Sequence, residues 1–347
     1  MSAVRKMKAA TMKMARVTGR YADWRPGENE AHQADAVIFR GDIPPMAGRE
    51  MNQYRLVLDK PRRLITTAQN VTYTERGMSW VGGRLERRYS FQEIGPRHVW
   101  EKPGPTTNVY LRASILQSQT PCTYGDWVSE HLAALALVLA QGALVEPLLL
   151  PSWWLDKPYV RRDLAVLGVT AEAVRSPVEI QSATVINKTR VGHYWNSSEA
   201  LAVVSAMKIQ PRPCRPRTAI YLSRKGEKGE GPKRQIHNDV TEAAMEAAGV
   251  LVVRTVGKTP EQYIALAESA ETLFADHGSA SYNMMYWETR RMVELFPPDY
   301  WDSAFLFLAD GLGIHDYHLW QIDDETTVCG LTQRIQVLMS HTAGSPS

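Results

Sequence analysis

Cysteine is scarce in this sequence. Of 347 residues only Cys122, Cys214 and Cys329 are cysteines, scattered, odd in number, and without a CxxC pair or a metal-ligand spacing. That excludes a disulfide framework and fits a reducing compartment. An excess of one charge sign is also missing. The net charge is +3, so the whole-molecule field does not point to nucleic acid. The longest apolar run, Leu132 to Leu150, is interrupted by Gln141, Glu146 and Pro147. It predicts a buried helix followed by a turn, and no membrane span. There is no Walker A loop, no GxGxxG and no GxSxG. The acidic triplet Asp323-Asp324-Glu325 lacks the strand lead-in and the alternate spacing of a metal–nucleotide DxD site. His315 and His318 stand three apart with no obvious third ligand, so no metal site is predicted. The start of the chain lacks the apolar core of a secretory signal. It instead holds Arg5, Lys6, Lys8, Lys13, Arg16 and Arg20 with no acid before residue 20. Those residues are not interleaved with aromatic rings, which speaks against nucleic-acid binding. They could touch an anionic lipid surface.

What is present describes an ordinary globular chain, with 44% apolar and 22% charged residues. Its length predicts two domains. The segment PRPCRPR, Pro211 to Arg217, cannot be helix interior, because proline fixes φ and has no amide hydrogen. It marks the linker between a domain at 1–210 and a domain at 211–347. Short runs between Tyr54 and Trp100 (YRLVL, LITTA, NVTYTE, MSWVGG, RRYSF) predict strands, and VYLRASIL predicts one more. YGDWVSEHLAALALVLAQG, apolar nearly all round, predicts a buried helix. LVEPLLLP, YVRRDLAVLGV and VEIQSATVIN then predict strand, helix and strand, and SSEALAVVSAMKI a helix. Beyond the linker the alternation is regular. TAIYLS, VLVVRTV, TLFAD and MVELF predict strands; HNDVTEAAMEAAG, TPEQYIALAESA and SYNMMYW predict helices between them. This βα alternation implies a parallel sheet with helices on both faces. After Ser303 two helix-like runs remain, FLFLADGLG and TQRIQVLMSH.

Three clusters could carry chemistry. The first is DHGSASYN, where a strand hands over to a helix. In an open parallel sheet, ligands bind outside the carboxyl ends of the strands. Gly278, Ser279 and Ala280 are small enough for a ligand to approach their amides, and a helix start favours anions. His277 can donate a hydrogen bond to a phosphate or a leaving oxygen. The alternative is a tight turn with a capping serine and a satisfied histidine. The second is the loop after TAIYLS. Between Arg212 and Arg234 eight Lys/Arg face two acids. Arg224 ends the strand, Arg234 precedes the next helix, and Asn238 caps that helix or faces inward. Two arginines at neighbouring strand ends could clamp a diphosphate bidentately. The alternative is a solvated basic loop. The third is TYGDWVSE. Asp126 and Glu130 share a helix face by spacing, as do Trp127 and His131. Thr123 and Asp126 could form a capping box. Glu130 sits among apolar residues, surroundings that suit a general base, unless it lies at an exposed helix edge.

Together these motifs resemble glycosyltransferase family 61. The family reads NYGHWLxD, then a strand ending in SR, then RRxxNE, then HGAxxxN. Here the corresponding stretches are TYGDWVSE, YLSR, RQIHND and DHGSASYN. Glu130 stands where the family has an aspartate, Asp126 where it has a histidine, and Ser279 where it has an alanine. Arg224, Arg234, Asn238, His277, Gly278 and Asn283 match. The resemblance implies an α/β, GT-B-like fold, two Rossmann-like domains facing across a cleft, with extra N-terminal strands. It implies an inverting, metal-independent transfer of sugar from a nucleotide-sugar, UDP-linked in the usual case, to a hydroxyl of a glycan or glycolipid. Glu130 and His277 would be catalytic. Arg224, Arg234, Asn238, Gly278, Ser279, Ala280 and Asn283 would bind the donor, and Asp126 and Trp127 would lie on the acceptor side. No cofactor beyond the nucleotide-sugar substrate is implied. The expected location is the cytoplasm, with peripheral contact at the inner membrane through the basic N-terminus as a further option. The alternative function is a non-catalytic sugar-nucleotide or glycan-binding protein on the same fold.

Overall fold

A computed structural model of the chain describes residues 21–22, 33–38, 40–42, 51–52, 55–60, 64–86, 103–116, 123–187, 197–209, 218–226, 238–258, 262, 270–301 and 304–341. The basic N-terminus, the run RRYSF, the linker PRPCRPR, the loop holding Arg234 and most of TPEQYIALAESA lie outside those residues. The chain divides into two compact units, one of residues 1–33, 61–193 and 206–208, the other of residues 34–60, 194–205 and 209–347. Both are α/β.

The first unit carries an eight-stranded sheet. Its order is Tyr21–Ala22, Arg84–Glu86, Ser79–Val81, Leu64–Tyr73, Val178–Asn187, Asn108–Leu116, Leu148–Pro151, Ala171–Val174. The last four are mutually parallel. Leu64–Tyr73, Ser79–Val81 and Arg84–Glu86 form an antiparallel meander, and its long strand pairs antiparallel with Val178–Asn187. The sheet is therefore mixed, not wholly parallel as in a plain Rossmann-like domain. The two runs LITTA and NVTYTE merge into the one strand Leu64–Tyr73. Val71, Tyr73, Ile115, Leu149, Ile180 and Val185 are fully buried in its core. The phenol of Tyr73 is buried with them but donates to the Leu116 carbonyl at 2.6 Å, which spares the cost of an unmet hydroxyl.

The second unit holds a six-stranded, wholly parallel sheet ordered Leu251–Arg254, Ala219–Ser223, Thr272–Asp276, Arg291–Phe296, Asp316–Gln321, Arg40–Gly41. Numbered along the chain from Ala219, the first five strands lie second, first, third, fourth, fifth. Strand addition runs outward one way from Ala219–Ser223, then jumps to its other side. That reversal is the topological switch point of a doubly wound sheet, flanked by Ala219–Ser223 and Thr272–Asp276. Helices Asn238–Ala247 and Val328–Ser340 supply Ala244, Met245, Leu331 and Ile335 to the core built on Tyr221, Phe274, Val293 and Trp320. A further three-stranded sheet is ordered Gln33–Ile38, Arg55–Lys60, Met51–Asn52.

Two strands of the six-stranded sheet were invisible in the sequence. DYHLWQ, Asp316–Gln321, alternates polar and apolar residues over its first four positions, but its polar residue Asp316 is buried in a polar cluster instead of facing solvent. Its carboxylate accepts from Arg291 Nε at 2.7 Å, His318 Nε2 at 3.0 Å and Arg40 Nη1 at 3.3 Å. Arg40–Gly41 comes from the far end of the chain. Asp42 fixes it: its amide donates to the Leu319 carbonyl at 2.6 Å, and its carboxylate accepts from the Gln321 amide at 2.8 Å and from Arg334 at 3.0 Å. Gly41 has φ +96°, and a Cβ there would collide with the Leu319 carbonyl, so this approach requires glycine. Among the described residues no helix is long and apolar enough to cross a membrane.

Candidate functional site

The carboxyl ends of the two switch-point strands bring Arg224 and His277 together. Asp276, buried, joins the two strand ends. Its Oδ1 accepts from the Tyr221 hydroxyl at 2.5 Å, and its Oδ2 from the Arg224 backbone amide at 2.8 Å. Burial first, and then the Asp276 charge beside it, push the Tyr221 phenol well above its ordinary range, so it stays a neutral donor. Arg224 is half-buried, and its Nη1 donates to the His277 carbonyl at 2.8 Å. Asp276 thus fixes the Arg224 backbone, and the His277 carbonyl holds the guanidinium, at the strand ends where ligands of such sheets bind.

His277 is 5% exposed. Its amide donates to the Leu295 carbonyl at 2.7 Å. Its ring lies edge-on to Tyr300 and Phe305, with centroids 5.0 and 5.2 Å away. Nδ1 contacts Oε1 of Glu294, a fully buried residue on the next strand. Glu294 Oε2 accepts from Trp301 Nε1 at 3.2 Å and from the Tyr317 hydroxyl at 2.7 Å. The indole N–H and the phenol hydroxyl both donate to Oε2, so Oε1 is the oxygen that shares a hydrogen with His277 Nδ1.

Gly278 follows with φ +152°. A Cβ at this position would meet the Arg224 guanidinium carbon at 2.8 Å. The glycine therefore makes room for the arginine as well as for a backbone that side chains avoid. Gly278→Ala is expected to displace Arg224 and lower activity about ten-fold or more, the cost of misplacing one charged group by a fraction of an ångström. Initial rates beside a melting curve would check it; a wild-type rate would show that Arg224 is not needed where it sits.

The sequence predicts an α-helix after the glycine. The structure has instead a tight 3₁₀ run, Ser279–Tyr286. Ala280, Ser281, Tyr282, Asn283, Met284 and Met285 are all buried, so no polar face remains for an amphipathic α-helix and packing overrides propensity. Ser279 is half-buried at its start. The Ser281 amide donates to the Gly278 carbonyl at 2.9 Å. Asn283 is fully buried, and its Nδ2 donates to the Ala280 carbonyl at 2.8 Å, bracing the turn from within.

Glu242, one turn into the helix that starts at Asn238, anchors the neighbouring loop. Its carboxylate accepts from Ser223 Oγ at 2.8 Å, Lys225 Nζ at 3.2 Å, and Arg254 Nε and Nη2 at 2.9 and 2.7 Å. The Arg254 hydrogen bonds, against opposing burial and with help from Ser223 and Lys225, lower its pKa from 4.5 to about 2. A carboxyl depressed on folding stabilises the protein above its unfolded value and loses that contribution as pH falls. Stability is therefore expected to drain between pH 4.5 and about 2. Chemical denaturation across that range should show a shallower acid slope in Glu242→Gln. Asn238 opens this helix, half-buried, with its Oδ1 shut off from solvent and without a hydrogen-bond partner among the described residues. Arg234 lies outside the described residues.

The third motif belongs to the first unit. Thr123 and Asp126 form the capping box: the Asp126 amide donates to Thr123 Oγ1, and the Thr123 amide donates to Asp126 Oδ2 at 3.2 Å. The helix then widens into a π-helical turn, Trp127–Leu132, before continuing as α-helix Ala133–Ala140. Such turns recur at functional sites. Asp126 stays half-buried in the cap, whereas Glu130 is 1% exposed. Spacing alone placed the two on one face; the wider turn separates their surroundings. Trp127 is fully buried, and its Nε1 donates to Asp163 Oδ2 at 2.8 Å. Its ring neighbours His131, 6.1 Å between centroids, and His131 in turn packs on Trp154 at 4.3 Å.

Residues that sequence reasoning missed are Glu294, Asp276, Tyr221 and Glu242. One signal was available: TLFAD and MVELF each hide a single acid in an apolar strand, and a buried acid demands partners. Among the described residues no group of three or more His, Cys, Asp or Glu is placed to hold a metal ion.

Residues 124–293 match the family model described as Glycosyltransferase 61. The chain belongs to glycosyltransferase family 61. Among curated proteins, no sequence matches it significantly. Membership assigns glycosyltransferase chemistry, hence a sugar donor and an acceptor. The family match takes in Glu130, Arg224, Asn238, His277 and Gly278, and it stops one residue before Glu294.

Proposed function

We propose that this family 61 member is an inverting glycosyltransferase that moves a sugar from a nucleotide-sugar, UDP-linked, to a hydroxyl of a glycan or glycolipid. The observation that carries the proposal is the meeting of Arg224, His277 and Gly278 at the switch point of a parallel sheet. Transfer needs a base for the acceptor hydroxyl and a means of stabilising the departing diphosphate. A guanidinium, an imidazole and the amides of Gly278, Ser279 and Ala280 suit the second task. They supply there the positive charge that a divalent ion supplies in DxD transferases, so the proposed reaction is metal-independent. Arg234, Asn238 and Asn283 complete the donor site or brace its loops. Glu130 is the proposed base, with Asp126 and Trp127 on the acceptor side; Trp127 would act by holding its helix, since it is fully buried. The two-domain GT-B arrangement belongs to the same proposal, as does action in the cytoplasm at or near the inner membrane.

A screen of nucleotide-sugars by thermal shift, followed by donor hydrolysis with the best ligand, tests this. A donor present at about 100 times its Kd stabilises the folded state by about 2.7 kcal/mol. Slow release of free sugar supports an enzyme. Binding without turnover across varied acceptors would favour the non-catalytic alternative, and no response to any nucleotide-sugar would remove the donor site.

A further inference from the structure

Glu294 is a fully buried carboxylate on the central strand Arg291–Phe296, and its hydrogen-bonding neighbours are donors: His277 Nδ1, Trp301 Nε1 and the Tyr317 hydroxyl. Two neutral donors are a thin return for taking a full negative charge out of water; a positive partner is what ordinarily offsets that cost. The nearest group able to carry one is the His277 ring. That ring is clamped edge-on by Tyr300 and Phe305, so it cannot swing away from the carboxylate without repacking.

We propose that Glu294 is a positioning residue that holds His277 as an imidazolium, so that Nε2 offers a hydrogen to a phosphate oxygen of the bound nucleotide. The consequence for turnover rests on the transferase reading; the charge state of the ring does not. Among the described residues, other titratable or charged groups stand around this ring as follows. The Arg224 guanidinium sits on the His277 carbonyl and opposes a second positive charge. Asp276, adjacent in the chain, is engaged by the Tyr221 hydroxyl and the Arg224 amide. Tyr300 presents its ring, and Tyr317 acts through Glu294. Glu294 Oε1 touches the Nδ1 nitrogen of the ring, and a carboxylate in such contact favours the protonated imidazole.

The test uses the full chain with labelled histidine imidazoles, followed by NMR over pH, and UDP binding by calorimetry as the probe. His277 is expected to titrate about one pH unit or more higher in wild type than in Glu294→Gln, and UDP to bind Glu294→Gln about ten-fold more weakly at neutral pH. Wild-type affinity for UDP should fall as pH rises through the ring's midpoint. An identical midpoint in the two proteins, or an affinity that ignores the substitution, overturns the proposal. If Glu294→Gln does not fold, Tyr317→Phe serves. It removes one donor from Oε2, concentrates charge on the carboxylate and should raise the His277 midpoint; an unmoved midpoint overturns the proposal. A shifted midpoint in a protein that transfers no sugar would end the transferase reading and leave the role of Glu294 standing.

Discussion

Arg224→Ala is expected to reduce transfer by about 100- to 1000-fold, the range seen when one preorganised donor to a developing negative charge is removed. The fold should survive. The Arg224 backbone amide still reaches Asp276, and the half-buried hydrogen bond lost to the His277 carbonyl is worth about 1 kcal/mol. Melting curves of variant and wild type should lie within a few degrees of each other while the rates separate. Arg224→Lys is expected to recover only part of the rate, because an ammonium keeps the charge but cannot present the planar fork. Full activity in Arg224→Ala would remove the diphosphate seat from this strand end.

His277→Ala is expected to cost at least as much activity, about 100-fold or more, but with a different companion. It leaves Glu294 buried without its imidazole, with Trp301 and Tyr317 as remaining donors. Breaking one side of a buried pair costs on the order of 3 kcal/mol, so this variant should melt earlier than Arg224→Ala. Comparing kcat with KM at a temperature where both variants are folded separates chemistry from stability. An active, unshifted His277→Ala would take the imidazole out of the mechanism.

The sequence made the parallel sheet of the second unit readable because its strands alternate with helices at short, regular spacing. The positions of Arg224 and His277 followed from that alternation, since each stands just past a strand. The switch point itself was not readable. Strand order depends on which side of Ala219–Ser223 each crossover lands, and right-handed connections fit either side. Glu294 and Asp276 were hidden for another reason. A buried acid in an apolar strand looks like a blemish in the pattern until its donors are known, and those, Tyr221 for Asp276 and Trp301 and Tyr317 for Glu294, lie on other elements. Asp316–Gln321 escaped for the same cause, its polar side chains being satisfied by Arg291 and Arg40. The 3₁₀ run after Gly278 could not be told from an α-helix by periodicity, because burial on all sides leaves no periodicity to see. The π-helical turn around Glu130 has no local signature in its residues.

The edge strand Arg40–Gly41 has a consequence for how the molecule is made. Arg40 and Asp316 are 276 positions apart. At roughly 5–20 residues per second of translation, the ribosome needs on the order of tens of seconds to deliver the second after the first. Until then the early segment has no berth. Once it docks, it covers the flank of Asp316–Gln321 that would otherwise recruit strands from neighbouring molecules. Trimming the chain ahead of residue 43 should therefore yield protein that clumps, even though every proposed donor-site residue lies far downstream.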